Sequence, residues 1–340
     1  MTKILNIGHC RNKLVAGQTG GVVVLFGLWV DYCKEHGLDF EVIDAYKRNY
    51  RHGTLYAYLS IFWQILTKMK HFDTVFLHGT YRDYLLFAPF TVWLAKRMGK
   101  RMVMRKFAGN FAEIYEKANP IIKVLMRYAL KHADVLCWET KALVEFGKQF
   151  SSHSIWFPNV RKDSGVRRGD RPYQRKLIFL SRVEKMKGIF TLIEAMKILG
   201  NEYQLQIYGP LSGIEPEELQ GGNYHYYGSV DAAKVPQKLA ENDVLILPTK
   251  WGTEGYPGVI IEAYSVGVPV ISTPMGAIPE IVEDGKTGFF TPVDDAQALA
   301  DTIRRFDKDN YQQYSENALQ AFSDFDYEKT NKMIAELLEK

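Results

Sequence analysis

The chain has 340 residues, of which 46% are apolar and 24% are charged, a composition typical of globular proteins and a length typical of two domains. Its three widely spaced cysteines argue against a disulfide framework or a cysteine metal site, and they fit a reducing compartment. The longest apolar runs, at residues 55–66 and 84–95, are too short to span a bilayer. The first predicted strand begins at residue 3, which leaves no room for a signal peptide, and we therefore expect a cytoplasmic protein.

Strand-like apolar segments alternate with helical stretches along the whole chain. This alternation predicts parallel sheets covered by helices on both faces. The predicted strands are residues 3–8, 39–44, 73–78, 101–106, 134–138, 154–157, 176–181, 203–208, 224–228, 243–247, 268–272 and 288–290. Residues 22–26 have strand propensity, but their glycine start and the alternation favour a helix.

A polar, basic stretch at residues 158–170 predicts a linker between two domains. We expect an α/β fold of two doubly wound Rossmann-like domains, at residues 1–160 and 175–324. The linker is predicted at residues 161–174, and a helix at residues 325–340 ends the chain. In such folds ligands bind at the carboxyl ends of the strands, so we expect a ligand cleft between the two sheets.

The net charge of +4 is unevenly distributed along the chain. Residues 1–157 contain 22 Lys and Arg against 12 Asp and Glu, a net charge of +10, whereas the remainder carries −6. A basic half indicates an anionic partner, either a nucleic acid or an anionic membrane surface. Because no nucleic-acid recognition motif is present, we expect no nucleic-acid partner and retain the membrane surface.

Two helical stretches of the basic half, at residues 66–70 and 94–101, carry lysine and arginine at their ends. The aromatic residues beside them are Phe62, Trp63, Phe90 and Trp93. Apolar helices with basic ends suit peripheral membrane contact. The same pattern also fits ordinary sheet-covering helices with aromatic residues in the core and solvated lysines, and the sequence leaves both interpretations open.

A glycine-rich turn follows the predicted strand at residues 243–247 and leads into a helix that we expect to start near Pro257 or Gly258. The free N–H groups and the dipole of that helix form a site for an anion such as a diphosphate. Glu254 and Glu262 flank this site, and a carboxylate beside a phosphate can bind the hydroxyls of a nucleotide-sugar. An ordinary strand–helix turn with two solvated glutamates has the same local pattern.

Two cations follow the first strand of the second half, Arg182 and Lys187. The two residues are five positions apart at the carboxyl end of a strand, so they can converge on one diphosphate. Arg182 offers a fork of hydrogen-bond donors, and Lys187 offers a compact charge. The alternative is that both are solvated loop charges.

The spacing Glu254-x7-Glu262, with the runs at residues 263–271 and 276–280, resembles the signature of GT-B glycosyltransferases of family four, the glycosyl transferases group 1. The resemblance covers nearly the whole second half and the first half only loosely. It implies a GT-B fold in which the first domain binds the acceptor, the second binds the donor, and the C-terminal helix crosses back to the first. It also implies a retaining, metal-independent reaction, so we expect no metal and no cofactor.

The resemblance implies a role for each matching residue. Arg182 and Lys187 would hold the leaving diphosphate, and Glu254 would act at the reacting sugar, which makes these three the catalytic candidates. The donor-binding candidates are Gly209, Tyr227, Val230, Gly255, Tyr256, Gly258, Val259 and Glu262. The candidates for an acceptor or phosphate loop are Gly20, Gly21 and the strand-end residue His78.

The chain departs from the family at one position after the predicted strand 101–106. Many members carry a histidine there, and this chain has Phe107.

We expect a glycosyltransferase that moves a sugar from a UDP- or GDP-sugar to a saccharide, preferably a lipid-linked one, in cell-surface polysaccharide biosynthesis. The missing histidine keeps open the alternative of a catalytically silent nucleotide-sugar-binding or scaffold protein.

Overall fold

The computed structural model describes residues 2–11, 21–107 and 109–339. The chain divides into two compact units, which we call unit 1 (Met1–Val160 with Tyr327–Lys340) and unit 2 (Arg161–Asp326). Within the described ranges, none of the helices combines the length and the hydropathy needed to cross a bilayer.

Unit 1 contains a six-stranded parallel sheet with the order β2-β1-β3-β4-β5-β6. Its strands are β1 (Ile4–Gly8), β2 (Phe40–Asp44), β3 (Thr74–Gly79), β4 (Arg101–Lys106), β5 (Val135–Trp138) and β6 (Ser154–Trp156). Its helices are α1 (Gly21–Glu35), α2 (Gly53–Lys68), α3 (Tyr81–Leu86), α4 (Ala88–Arg97), α5 (Phe111–Lys117), α6 (Pro120–His132), α7 (Lys141–Gly147) and the C-terminal α13 (Tyr327–Glu339). Residues 22–26 are helical, as expected.

The helices of unit 1 cover the two faces of its sheet with different partners. Side chains of α2, α4, α6 and α7 form one buried cluster with one side of the strands, and those of α1 and α13 form a second cluster with the other side. The ring of Tyr327 packs edge-on against Tyr32 of α1, and its hydroxyl donates to Glu35 at 2.9 Å. The C-terminal helix is therefore part of unit 1.

Unit 2 contains a second six-stranded parallel sheet with the order β12-β11-β10-β7-β8-β9. Its strands are β7 (Lys176–Leu180), β8 (Gln204–Tyr208), β9 (Tyr224–Tyr226), β10 (Val244–Leu247), β11 (Val270–Ser272) and β12 (Gly288–Phe290). Its helices are α8 (Ile189–Leu199), α9 (Val235–Ala240), α10 (Gly258–Ser265), α11 (Ala296–Ile303) and α12 (Tyr311–Ala321). All twelve predicted strands are present, with boundaries within two residues of those expected.

The predicted linker at residues 161–174 lies inside unit 2. The guanidinium of Arg168 is buried and donates to the Asp243 carboxylate at 2.8 Å, just before β10. The same carboxylate accepts from the backbone N–H of Gln174 and Lys176. A polar stretch that resembles a linker by composition therefore supplies buried ion-pair partners, because a buried carboxylate requires them.

Candidate functional site

The turn after β10 leads into α10, which begins at Gly258 as predicted. Pro257 precedes the helix and supplies no side-chain hydrogen bond to its first turn. Ile260 donates its N–H to the Pro257 carbonyl at 3.0 Å, whereas the N–H groups of Gly258 and Val259 precede the first acceptors of the helix, and the helix dipole makes this end positive. The carboxyl edge of the unit 2 sheet therefore presents a helix N-terminus suited to an anion.

Arg161 lies directly against this helix N-terminus. A Cβ atom on Gly258 would come within 1.6 Å of its Nη2, so this close approach requires glycine at position 258. The Nε of Arg161 donates to the Glu262 carboxylate at 2.6 Å, and both side chains are partly buried. A cation at the positive end of a helix is unfavourable by itself. Glu262 therefore offsets the Arg161 charge and holds the guanidinium in place.

Lys187 and Glu254 form a second ion pair in the same unit. The ammonium of Lys187 lies 2.7 Å from each Glu254 carboxylate oxygen, and the two side chains are only 15% and 13% exposed. An ion pair that is largely shielded from water is screened much less by salt than a surface pair. The two catalytic candidates are thus brought together by the fold.

Two glycines with positive φ fix the backbone on either side of this ion pair. Gly188 (φ +76°) approaches the Pro248 carbonyl so closely that a Cβ atom would lie 1.9 Å from its oxygen. Gly276 (φ +55°) approaches the backbone of Glu254 in the same way, and the next residue, Ala277, donates its N–H to the Glu254 carbonyl at 2.9 Å. Any other residue at either glycine would be strained and would collide with backbone.

Arg182, the third catalytic candidate, is placed differently. Its side chain is 63% exposed, and its Nη1 lies 3.8 Å from the Glu184 carboxylate, a loose ion pair. It extends from the loop after β7, next to Gly209, which packs against the Ser181 carbonyl. Lys187 thus pairs with Glu254, while most of the Arg182 side chain remains accessible to a ligand.

The loops after β8 and β9 present an aromatic surface. The ring of Tyr227 is half-exposed and stacks on the buried ring of Tyr208, with centroids 5.3 Å apart and planes inclined by 21°. Gly209 donates its N–H to the Gly228 carbonyl at 3.0 Å, which joins the two loops. Val230 is partly buried a few residues later. A flat ring supported from behind is a suitable platform for another ring.

The donor-binding candidates at the start of α10 are more enclosed. Gly255, Gly258 and Val259 are partly buried. The Tyr256 side chain is buried, and its hydroxyl donates to Glu280 at 2.6 Å. The Tyr256 ring therefore faces the interior, and its backbone is the part near the turn.

The acceptor candidates lie in unit 1. Gly20 lies outside the described residues, and Gly21 is the first residue of α1. His78 is completely buried between aromatic rings, and within the described residues neither of its ring nitrogens has a hydrogen-bond partner. Burial and the nearby Arg105 charge hold the pKa of His78 well below its usual value. Phe107, where the resemblance leads us to expect a histidine, is also buried.

A histidine that does reach the surface of unit 1 follows β1. The Nε2 of His9 lies 3.0 Å from the Asp83 carboxylate, which also accepts from the backbone N–H and hydroxyl of Thr80. Burial opposes ionisation of Asp83, but the hydrogen bonds from His9 and Thr80 outweigh it and lower the pKa of this carboxyl. The His9–Asp83 pair is one polar feature at the carboxyl edge of the unit 1 sheet.

Sequence reasoning missed Arg161, since it falls in the predicted linker. Its partner Glu262 is 101 residues away, so no local spacing signals the pair. Among the described residues, no cluster of three or more His, Cys, Asp or Glu side chains could hold a metal ion.

Most of unit 2 matches a known protein family. Residues 166–321 match the family model of the glycosyl transferases group 1. A protein encoded in the cps region of Klebsiella pneumoniae is 25% identical over 72% of this chain and 72% of its own length. A putative colanic acid biosynthesis glycosyltransferase of Salmonella typhimurium is 32% identical over 48% of this chain, and the match spans 45% of that relative.

Solved structures show the fold. HepE from Anabaena in complex with UDP superposes with a TM-score of 0.73 at 16% identity, and the likeness covers 100% of both chains. At this identity the similarity speaks for the architecture alone. Together with the two parallel six-stranded sheets, it confirms the predicted GT-B fold class.

Proposed function

We propose that the chain is a glycosyltransferase that transfers a sugar from a nucleotide-diphospho-sugar to a saccharide acceptor, and the match of residues 166–321 to the glycosyl transferases group 1 model supports this. Unit 2 binds the donor and unit 1 binds the acceptor. The observation that carries the proposal is the pairing of Lys187 with Glu254 four residues before α10. Arg161 contacts the start of this helix and pairs with Glu262 inside it.

The donor diphosphate is the group best suited to the positive end of α10. Arg161 and the first-turn N–H groups supply positive charge there, and the accessible Arg182 supplies a fork of donors. Two N–H groups of the Lys187 ammonium face Glu254, which leaves the third for a phosphate oxygen. Negative charge that develops on the leaving diphosphate is stabilised by these fixed donors.

The nucleoside and the sugar are assigned to the remaining donor candidates. The base, uracil or guanine, stacks on Tyr227, and the ribose hydroxyls donate to Glu262, whose carboxylate has lone pairs beyond the one used by Arg161. Glu254 orients a sugar hydroxyl and offsets the positive charge that grows on the ring. The crystal structure of Anabaena HepE with UDP supports a uridine donor by analogy of fold.

We further propose that the reaction is retaining, as in family four, and needs no metal ion. Attack from the same face as the departing diphosphate suits a site whose negative charge is balanced by arginine, lysine and a helix dipole. The product is a cell-surface polysaccharide precursor, by analogy with the colanic acid relative. The acceptor is a lipid-linked saccharide at the anionic inner face of a membrane, which the net charge of +10 on residues 1–157 favours.

Calorimetry of nucleotide binding tests the donor assignment. UDP or GDP should bind, and the ligand at a hundred times its Kd should stabilise the protein by about 2.7 kcal/mol. Glu262→Gln should weaken binding by about tenfold or more, since a hydrogen bond to a charged group contributes about 1.5–3 kcal/mol. Glu283→Gln, in an exposed pair with Lys286, is the matched control. Absence of binding by every nucleoside diphosphate would rule out the proposal.

A further inference from the structure

Nine large apolar side chains are exposed on three neighbouring helices of unit 1. We call this set the α2–α4–α6 face, and its members are Leu55, Tyr56, Leu59, Trp63 and Leu66 of α2, Trp93 of α4, and Ile121, Val124 and Leu125 of α6. Trp63 is 66% exposed and Ile121 is 74% exposed. Among the described residues of α1 and α13, which cover the other side of the sheet, two large apolar side chains are exposed, Val24 and Met333.

The three helices lie on one side of the sheet. Side chains of α2, α4 and α6 all enter the same buried cluster. Phe62 of α2 packs against Phe87, just before α4, and against Phe90 of α4, with ring centroids 5.4 and 5.3 Å apart. These inner rings anchor the two helices on the sheet. The neighbouring side chains of Trp63 and Trp93 are exposed. Exposed apolar groups on adjacent helices of one layer mark an interaction surface rather than scattered surface residues.

The apolar residues of α2 form one stripe along the helix. Leu55, Leu59, Trp63 and Leu66 follow each other at intervals of four, four and three residues, which places them on one side of an α-helix. Ala57, Ile61 and Ile65 occupy the opposite side and are fully buried. The helix is therefore apolar on both its inner and its outer side, and its outer side needs a partner outside unit 1.

The charge on these helices identifies the kind of partner. Within α2, α4 and α6 there is no Asp or Glu, whereas there are six cationic residues, Lys68, Lys96, Arg97, Lys123, Arg127 and Lys131. The two helices on the other side, α1 and α13, carry five acidic residues against three lysines. Lys68, Lys96 and Lys123 pair with carboxylates of neighbouring segments, namely Glu41, Asp134 and Glu116, whereas Arg97, Arg127 and Lys131 are exposed outside these ion pairs. An apolar surface with an excess of positive charge complements the boundary between the headgroups and acyl chains of an anionic bilayer.

We propose that unit 1 docks on an anionic phospholipid bilayer through the α2–α4–α6 face. Trp63, Leu59, Ile121 and Val124 enter the headgroup–acyl boundary, and the exposed Arg97, Arg127 and Lys131 contact the lipid phosphates. This inference rests on the proposed function in one respect. Docking would bring unit 1, which we propose to bind the acceptor, to the membrane that holds a lipid-linked acceptor. It adds to that proposal the face by which the unit binds.

Co-sedimentation with vesicles tests the face. Wild type should bind vesicles of phosphatidylcholine with phosphatidylglycerol more tightly than pure phosphatidylcholine, and added salt should weaken this binding. Leu59→Ser with Trp63→Ser on α2, and Ile121→Ser with Val124→Ser on α6, should each reduce binding about tenfold or more. Met333→Ser on α13 is the matched control and should bind like wild type. Unchanged binding by both double variants, or an equal loss in the control, would overturn the inference.

Tryptophan quenching gives a second readout with milder variants, because each replaces one tryptophan by another aromatic residue. Brominated lipids should quench the wild-type fluorescence, and Trp63→Phe should lose a large part of that quenching. Trp156→Phe, on the edge strand β6, should keep it. Equal quenching in Trp63→Phe and wild type would contradict insertion of Trp63.

Sedimentation equilibrium distinguishes a bilayer from a second copy of the chain. Without vesicles the protein should be monomeric, and a dimer that Leu59→Ser with Trp63→Ser dissociates would assign the face to self-association.

Nucleotide affinity separates this inference from the proposed function. Double variants that lose vesicle binding but keep wild-type nucleotide affinity support the face, whereas a wild type that binds vesicles but no nucleotide would count against the donor site alone.

Discussion

The Lys187 ammonium lies 2.7 Å from both oxygens of the Glu254 carboxylate, although the two residues are 67 positions apart in the chain. The pair joins the loop after β7 to the turn that precedes α10. It fixes the direction of the Glu254 carboxylate, and the two side chains are largely shielded from water. A fixed carboxylate beside an anion site is suited to the sugar that a donor diphosphate carries.

Glu254→Gln should lower kcat more than it raises the donor KM. The amide preserves the shape but removes the charge that offsets the transition state, and the lost interaction corresponds to about 1.5–3 kcal/mol, or about tenfold to a hundredfold in rate. Steady-state kinetics with the natural donor measure both constants. Glu283→Gln provides the control, and full turnover by Glu254→Gln would remove the catalytic assignment.

Gly258→Ala should weaken nucleotide binding by displacing Arg161. The new Cβ atom would lie 1.6 Å from the Arg161 Nη2, so the guanidinium must leave the start of α10. In an Arg161→Ala background the same substitution should cost little further affinity, because the clashing group is gone. Calorimetric titration with UDP or GDP of both single variants and the double variant measures this coupling. Additive losses would show that Arg161 does not act through its contact at Gly258.

Tyr227→Ala should raise the Kd for the nucleotide, whereas Tyr227→Phe should leave it nearly unchanged. Base stacking on an aromatic side chain contributes about 1–3 kcal/mol in nucleic-acid-binding proteins, and a similar loss is expected here. The phenylalanine variant keeps the ring that stacks on Tyr208. Equal affinities of the alanine variant and wild type would place the base elsewhere.

His78 should make unit 1 less stable as the pH falls below about 6.5. The unfolded chain takes up a proton on this histidine near its ordinary pKa, whereas burial and Arg105 depress the pKa in the folded state. The free energy of unfolding should therefore fall by up to about 1.4 kcal/mol per pH unit over this range. His78→Phe should remove that component in urea titrations at pH 7.5 and 5.5, and substitution of the exposed His153 serves as control. Identical pH dependence of His78→Phe and wild type would contradict this account.

Much of the fold could be predicted because each strand is a short apolar run between helical stretches, and this pattern is local. The start of α10 could be predicted for the same reason, from Pro257 and Gly258. The direction of side chains was harder to predict. Phe62 and Trp63 are adjacent in the sequence, yet the first anchors α2 and the second is exposed.

Ion pairs between distant residues could not be predicted at all. Arg161 and Arg168 resemble linker charges by composition, and only the folded chain shows their partners Glu262 and Asp243. His78 ends a strand in the sequence in the same way as an exposed histidine would, and its burial depends on rings from other elements, such as Phe26 of α1.

The most direct test of the central claim is the release of nucleotide in a transfer reaction. The purified chain is incubated with a panel of UDP- and GDP-sugars and a bacterial membrane-lipid extract, with a strong chelator present. We predict that one donor releases its nucleoside diphosphate in an extract-dependent manner, that the chelator does not prevent this, and that Glu254→Gln abolishes most of it. Nucleotide binding without any release by the wild-type chain would contradict the account and favour a protein that binds nucleotide-sugars without turning them over.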